Sequence, residues 1–226
     1  MKEFLKGHPF FLDLFALAFN LMHSPSAVFC RKIHCRGAFL KKVKLDIARG
    51  SVVEIGRMAR LTRCTFSINA PDCKVVIGGN HTKIANAVFC CQDSSSRIVV
   101  GDDFTMEGGE IASIEGKEVI IGRDCMFSFD VDVRNGDSHV ILDGEGRRIN
   151  YSEDISFGDH VWLAAHTRVL KGSIIPSNCI IGNSAVVSGI LEKENSLYAG
   201  IPAKLIKENV GWDRFRNNYP ENEQTV

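Results

Sequence analysis

The sequence predicts an all-β solenoid, and three observations carry that prediction: a strict six-residue apolar period from Phe157, a looser series of apolar-glycine steps before it, and one polar segment that interrupts both. From Phe157 the chain divides into FGDHVW, LAAHTR, VLKGSI, IPSNCI, IGNSAV and VSGILE. Each six opens on an apolar residue: Phe157, Leu163, Val169, Ile175, Ile181 and Val187. Its fifth position is small or aliphatic: Val161, Thr167, Ser173, Cys179, Ala185 and Leu191. In a chain of 45% hydrophobic residues, six consecutive matches at two positions do not arise by chance. A period of six fits neither the 3.6 of an amphipathic helix nor the 2 of an alternating strand. It fits a chain turning through about 120° per six residues, so that three short strands and three corners close one triangular coil. Such a coil buries its apolar edge only against further coils. Successive coils then pair as parallel strands about 4.8 Å apart, and the residue opening each six points into the prism.

Upstream the same grammar recurs as Ile55-Gly56, Ile77-Gly78, Val100-Gly101 and Ile121-Gly122, and again at Phe157-Gly158 and Ile181-Gly182. The first intervals, of 22, 23 and 21 residues, exceed the roughly 18 of three sixes, so small excursions are expected at the corners. The interval of 36 from Gly122 to Gly158 leaves room for one coil and a large loop. The polar segment RNGDSHVILDGEGRRIN, Arg134 to Asn150, is that loop, and it carries one histidine, His139.

The ends are read separately. Residues 1–45 are expected as a helical cap, because an exposed first coil is a strand edge that needs cover. Its apolar stretch PFFLDLFALAFNLM, Pro9 to Met22, is too short to span a bilayer and contains Asp13 and Asn20. A helix packed on the solenoid's end or on a neighbouring subunit, interfacial contact with a membrane, and a signal sequence are the readings left open. The solenoid is expected over 46–206 with the loop inserted at 134–154, and 207–226 as a short C-terminal helix, over Glu208 to Asn218, followed by a frayed tail.

The sharpest stretches, ISFGDHVWLAAHTRVLKGSIIPSNCIIGNSAVVSG and LYAGIPAKLIK, resemble the hexapeptide-repeat acyltransferases with a left-handed parallel β-helix, a resemblance that covers roughly Leu45 to Ile206. Within that family, RNGDSHVILD followed by RIN and GDHVW resembles the branch that O-acetylates sugars of surface glycans: capsule, lipopolysaccharide or polysialic acid. The left hand comes from the resemblance, since parallel crossovers are otherwise right-handed. The resemblance implies acetyl-CoA as acetyl donor, a glycan or sugar acceptor, and a homotrimer with its active sites between subunits. It also places the catalytic histidine in the inserted loop, at His139.

An imidazole with a reference pKa of about 6.5 is neutral often enough near neutral pH to take a proton from a sugar hydroxyl attacking the thioester. Asp137 and Ser138 are the nearest groups that could fix its tautomer, and equally read as turn residues after Asn135-Gly136. No Gly-x-Ser-x-Gly elbow is present, so direct transfer is expected over a covalent acyl-enzyme. Trp162 is placed by the resemblance beside the thioester, where an indole N–H can donate to the developing oxyanion. By the same matching, the pantetheine arm runs along backbone at Ala165, Asn183, Ser188 and Gly189, Gly182 keeps that wall low, and Lys204 and Lys207 meet the phosphates. Asn183 and Ser188-Gly189 depart from the commoner family pattern, and both lysines read equally as a solvated turn. Arg147 and Arg148 are open between contact with an acidic sugar or the coenzyme and a solvated position.

Charge and composition exclude several classes. With 27 basic and 27 acidic side chains there is no net charge to recruit nucleic acid, and a cytoplasmic protein is expected, with the inner face of the membrane as the place of any peripheral contact. Eight cysteines without a Cys-x-x-Cys pair, including adjacent Cys90 and Cys91 and the repeat residues Cys125 and Cys179, read as reduced core residues. His160 and His166 suggest a metal, but six residues apart they fall on different faces of a prism, so no metal site is expected. The alternatives to a glycan O-acetyltransferase are an enzyme acetylating a small xenobiotic or amino sugar, and a non-catalytic β-helix assembly protein.

Overall fold

The computed structural model describes residues 7–215. Their core is a parallel β-solenoid of seven coils, each contributing one strand to each of three sheets. Sheet A begins at Ile33–His34 and ends at Ile174–Ile175; sheet B runs from Phe39–Lys41 to Ser196–Ala199, with one further strand at Lys204–Glu208; sheet C runs from Lys44–Ile47 to Val186–Val187. The six-residue period maps directly onto this prism. All six opening residues are buried, as are the six fifth-position residues. Residues 18 apart lie in register: Phe157 opposite Ile175, Leu163 opposite Ile181, Val169 opposite Val187.

The longer upstream coils need no excursions at their corners. Their extra residues lengthen the strands, as in Ala87–Cys91 and Gly109–Ser113 of sheet C, where the later coils have strands of only two residues, as at Arg168–Val169. A wider coil holds larger side chains, and Phe66, Phe89, Phe104 and Phe127 are fully buried there, with Phe66 stacked on Phe89 at 5.1 Å. Corners turn on residues in the left-handed region, such as Asp124 (φ 56°), His160 (φ 58°) and His166 (φ 61°), where Asp, Asn and His are tolerated better than most residues. Glycine is demanded where coils touch: a Cβ on Gly122 would lie 2.4 Å from the Gly158 carbonyl oxygen. Gly182 sits one corner on from that column, after a sheet B strand; above Gly158 the column continues with Pro176, and Ser177 Oγ would lie 2.4 Å from a Cβ on Gly158.

The solenoid starts earlier than the cap boundary at residue 45 expects, because strand pairing begins at Ile33. Helix α1 (Pro9–His23) lies across the first coil with Leu12, Ala16 and Asn20 buried, and the short α2 (Pro25–Phe29) follows. The exposed strand edge is met by side chains: the Asn20 amide donates to Ala38 O at 2.9 Å and accepts from Leu40 N–H at 2.8 Å, and Ser24 Oγ accepts from Val43 N–H at 3.0 Å. At the other end the expected helix from Glu208 is absent. Glu208 closes an antiparallel strand that covers the last parallel edge, 209–215 are non-helical, and 216–218 lie outside the described residues. The strand wins because Ser196–Ala199 otherwise offers an unpaired edge.

Candidate active site

The interrupting segment leaves sheet C after Val131–Arg134 and returns at Ile155–Phe157 of sheet A. Its two roots are pinned by Asn135, whose carboxamide accepts from Ile114 N–H (2.9 Å) and donates to Ser113 Oγ (3.1 Å), while its carbonyl accepts from Glu153 N–H (3.0 Å). The tip closes as a small hairpin through Leu142 and Arg148. Asn150, almost fully buried, ties the two arms. Its Oδ1 accepts from Ile141 N–H at 2.8 Å, and its Nδ2 donates to Asp137 Oδ2 at 2.8 Å and to the His139 carbonyl at 2.7 Å.

His139 is therefore held through its backbone, with its side chain exposed, and the imidazole forms no hydrogen bond or ion pair with any described residue. The neighbours suggested for fixing its tautomer are engaged elsewhere. Asp137 is paired with Lys171 at 2.5 Å, and that ammonium first, then Asn150, holds its carboxyl below the usual range. Ser138 Oγ donates to Gln92 Oε1 at 3.1 Å. The loop arginines are internal braces. Arg147 pairs with Asp143 and Glu145. Arg148 pairs with Glu115 and covers the Tyr151 ring at 4.7 Å. Glu115 in turn accepts from Ser152 N–H, and that bond with the Arg148 contact lowers its pKa.

Trp162 stands elsewhere in the chain, half-buried on the outer face of sheet B between Met126 and Ile180. It closes one end of an open groove of about 910 Å³ that runs down the sheet past Met126, Thr105 and Lys83 to Arg60. The chain after the last strand doubles back along the corner between sheets A and B. There Trp212 stacks on His160 with ring centroids 4.0 Å apart, and its indole N–H donates to His160 O. Arg214 reaches Asp124, Thr105 Oγ1 and the carbonyls of Asp103 and Cys125. Neither this strap nor Asn150 and Lys171 was picked out from the sequence; only the RIN motif pointed toward Asn150.

The residues matched to a coenzyme divide between two corners. Ala165, Gly182 and Asn183 lie at the corner between sheets B and C, where a Cβ on Gly182 would meet Ala199 Cβ at 2.9 Å. Ser188 and Gly189 lie at the corner between C and A, the corner of the His139 loop, where Gly189 O accepts from Ile174 N–H. The width of sheet C separates the two sets in one chain. Lys204 and Lys207 are exposed on the final strand, opposite Ala199 and Leu197. Three residues apart, they would alternate faces, but a register shift between Leu197 and Tyr198 restores the parity and sets both on the outer face, with Ala199 and Leu197.

The two corner histidines have partners within the solenoid. His160 bonds Asp124 through Nδ1 (2.6 Å) and Trp212 O through Nε2 (3.1 Å), and His166 bonds Asp130 at 2.7 Å on a different corner. Burial works to raise the Asp124 carboxyl, but the bonds from His160 and Arg214 outweigh it and hold that group low. No cluster of three metal-ligating side chains occurs among the described residues. All eight cysteines are free, and burial pushes Cys64 up to about 11 and Cys125 up to about 12, so neither is a thiolate nucleophile near neutral pH.

No family model matches the chain. It is 31% identical over 169 residues to the polysialic acid O-acetyltransferase of Neisseria meningitidis, which spans 74% of this chain and 78% of that protein. It is 33% identical over 120 residues to the polysialic acid O-acetyltransferase of Escherichia coli O1:K1, covering 53% of this chain and 39% of that longer relative. Among solved structures, the polysialic acid O-acetyltransferase OatWY superposes with a TM-score of 0.69 at 26% identity, over 82% of this chain and 93% of that one. The polySia-specific acetyltransferase NeuO shares the fold, with a TM-score of 0.64 at 23% identity over 78% of this chain and 90% of its own. A seven-coil β-helix with a loop-borne histidine, and this kinship over most of its length, make the chain an acyltransferase of the hexapeptide-repeat O-acetyltransferase family that includes the polysialic acid O-acetyltransferases.

Proposed function

We propose that the protein transfers an acetyl group from acetyl-CoA to a sugar hydroxyl of a surface glycan, with His139 as general base. The observation that carries this is the loop itself: a braced excursion from an otherwise unbroken solenoid that presents one imidazole with no partner among the described residues. The relatives' activity on polysialic acid supports a glycan acceptor. In the proposed reaction His139 takes the proton of the acceptor hydroxyl as its oxygen attacks the thioester carbonyl. The C–S bond then breaks, and the proton passes to the departing thiolate of coenzyme A. Trp162 offers its indole N–H to the oxygen that becomes negative. Thiols kept protonated by burial favour this direct route over an acyl-enzyme.

His139 and Trp162 lie on opposite sides of sheet C in one chain, so a site using both joins the loop of one subunit to the sheet B face of another. The split of the coenzyme set supports the same arrangement: Ala165, Gly182, Asn183 and the lysines on one subunit, Ser188 and Gly189 beside the partner's loop. The small residues Gly182 and Ala199 give a low track that ends at Lys204. A closed cyclic trimer repeats this junction three times. Light scattering on a chromatographed sample is expected to give three times the chain mass, and a stable monomer at micromolar concentration would remove the shared site.

The lysines supply a separate expectation. Replacing Lys204 and Lys207 together by alanine is expected to raise the KM for acetyl-CoA at least about fivefold, the size of one exposed charge contact of about 1 kcal/mol. Turnover should change less, because phosphates remote from the thioester are bound equally in ground and transition states. The overall function is tested by coenzyme A release across purified glycans; release with no acidic or neutral glycan would defeat it.

A further inference from the structure

The outer face of α1 has no work to do in the fold. Leu12, Ala16 and Asn20 take the buried stripe, while Phe10, Leu14, Leu17, Leu21 and Met22 are exposed, Phe10 at 71% and Met22 at 76%, with Phe10, Leu14 and Leu17 along an open cleft beside Ile33 and Cys35 of the first coil. Phe29 of α2 extends the patch at 76% exposure. Apolar surface this continuous marks an interaction site. The acidic side chain of the helix, Asp13, is neutralised within the protein by Arg36 (2.6 Å) and Arg57 (3.1 Å).

The charge around the patch identifies its occupant. The chain is neutral overall, yet residues 1–100 carry 15 Lys and Arg against 6 Asp and Glu, and residues 101–226 carry 12 against 21. The positive excess is steepest beside the helix. Residues 31–63 hold ten basic side chains and two acidic ones, with Arg31, Lys41, Lys42, Lys44 and Arg49 all exposed. A second copy seated on this face would bring two such collars together and be repelled. An apolar helix face of aromatic and aliphatic residues ringed by Lys and Arg has instead the chemistry of an interfacial anchor, in which the apolar side enters the headgroup region and the cations meet anionic lipid. No described helix is long and apolar enough to cross a membrane, so the contact lies in the plane of the surface.

We infer that the α1 face and the basic first coil dock the protein on an anionic lipid surface, setting the solenoid axis upright with its acidic coils away from the bilayer. The test is sedimentation of the full-length protein with vesicles of phosphatidylcholine, alone or mixed with phosphatidylglycerol. At ~0.1 M salt, binding to the mixed vesicles should exceed binding to neutral ones at least about tenfold, and it should weaken at ~1 M, where the Debye length falls from about 10 to about 3 Å. Phe10→Gln with Leu17→Gln and Met22→Gln should abolish binding without changing the melting temperature. Lys41→Gln with Lys42→Gln and Lys44→Gln should remove the preference for the anionic vesicles. Should the glutamine variants fold poorly, Met22→Trp gives a second reading, a blue shift of its emission on adding anionic vesicles. Equal binding to both vesicle types, no binding to either, or a change in solution mass caused by the glutamine substitutions would each overturn the inference, the last by showing another copy on the face.

Discussion

His139→Ala is expected to lower turnover at least about 100-fold while leaving the fold, the assembly and the binding of acetyl-CoA unchanged. The first half follows from the proposed role, since loss of a positioned general base costs about 10² to 10⁴ in rate. The second half follows from the geometry. The loop adds no rung to the parallel ladder between Glu118–Ile121 and Ile155–Phe157, which pair directly across it. The His139 side chain is exposed, and what Asn150 holds is the His139 carbonyl, which alanine keeps. The melting temperature should therefore stay within a few degrees, while a thermal shift induced by acetyl-CoA persists, because a ligand at about 100 times its Kd stabilises by about 2.7 kcal/mol whether or not chemistry follows. Full activity in this variant would end the proposed mechanism. A variant that fails to fold would assign the histidine to structure.

How legible this architecture was depends on where the information sits. A solenoid writes its core into one strand at a time, so Phe157, Leu163 and Val169 announce the coil locally, and their partners 18 residues on repeat it. The interruption at Arg134 to Asn150 shows for the same reason, as a gap in a period. What the period does not carry is contact across coils or between the chain's ends. The Lys171–Asp137 pair, the Glu115 carboxylate under Arg148, and the Trp212–His160 stack join positions 34, 33 and 52 residues apart, and no local pattern names such partners. The C-terminal strand was missed because its cause is an unpaired edge, a property of the folded stack and not of the residues from Lys204 to Glu208. His160 and His166, by contrast, are explained once the corners are visible, since both sit at left-handed turn positions with an aspartate one coil below.

The loop's rigidity makes Asn150 the second residue whose loss should be severe. Its carboxamide ties the two arms beside His139, accepting from Ile141 N–H and, at 3.5 Å, from Arg148 Nε–H, and donating to Asp137 and to the His139 carbonyl. Asn150→Leu keeps the branched outline, adds bulk and removes all four of these bonds. Leaving buried partners unsatisfied should cost about 1–3 kcal/mol of stability. Turnover should fall by more than that loss suggests, because a misplacement of about 1 Å at a reacting group can cost about 10²-fold. The KM for acetyl-CoA should hold, since no donor-matched residue touches Asn150. Asn150→Asp separates positioning from simple filling of space. It preserves shape and the acceptor for Ile141, but it cannot donate while ionised, and it sets a second carboxylate against Asp137, already held ionised by Lys171. If Asn150 positions the base, the aspartate variant should lose turnover as fully as the leucine variant while His139→Ala, combined with either, adds little further loss. Near-normal turnover in Asn150→Asp would mean that the loop is held by its other braces, Asn135 and Arg148, and that the carboxamide only fills the space between its arms.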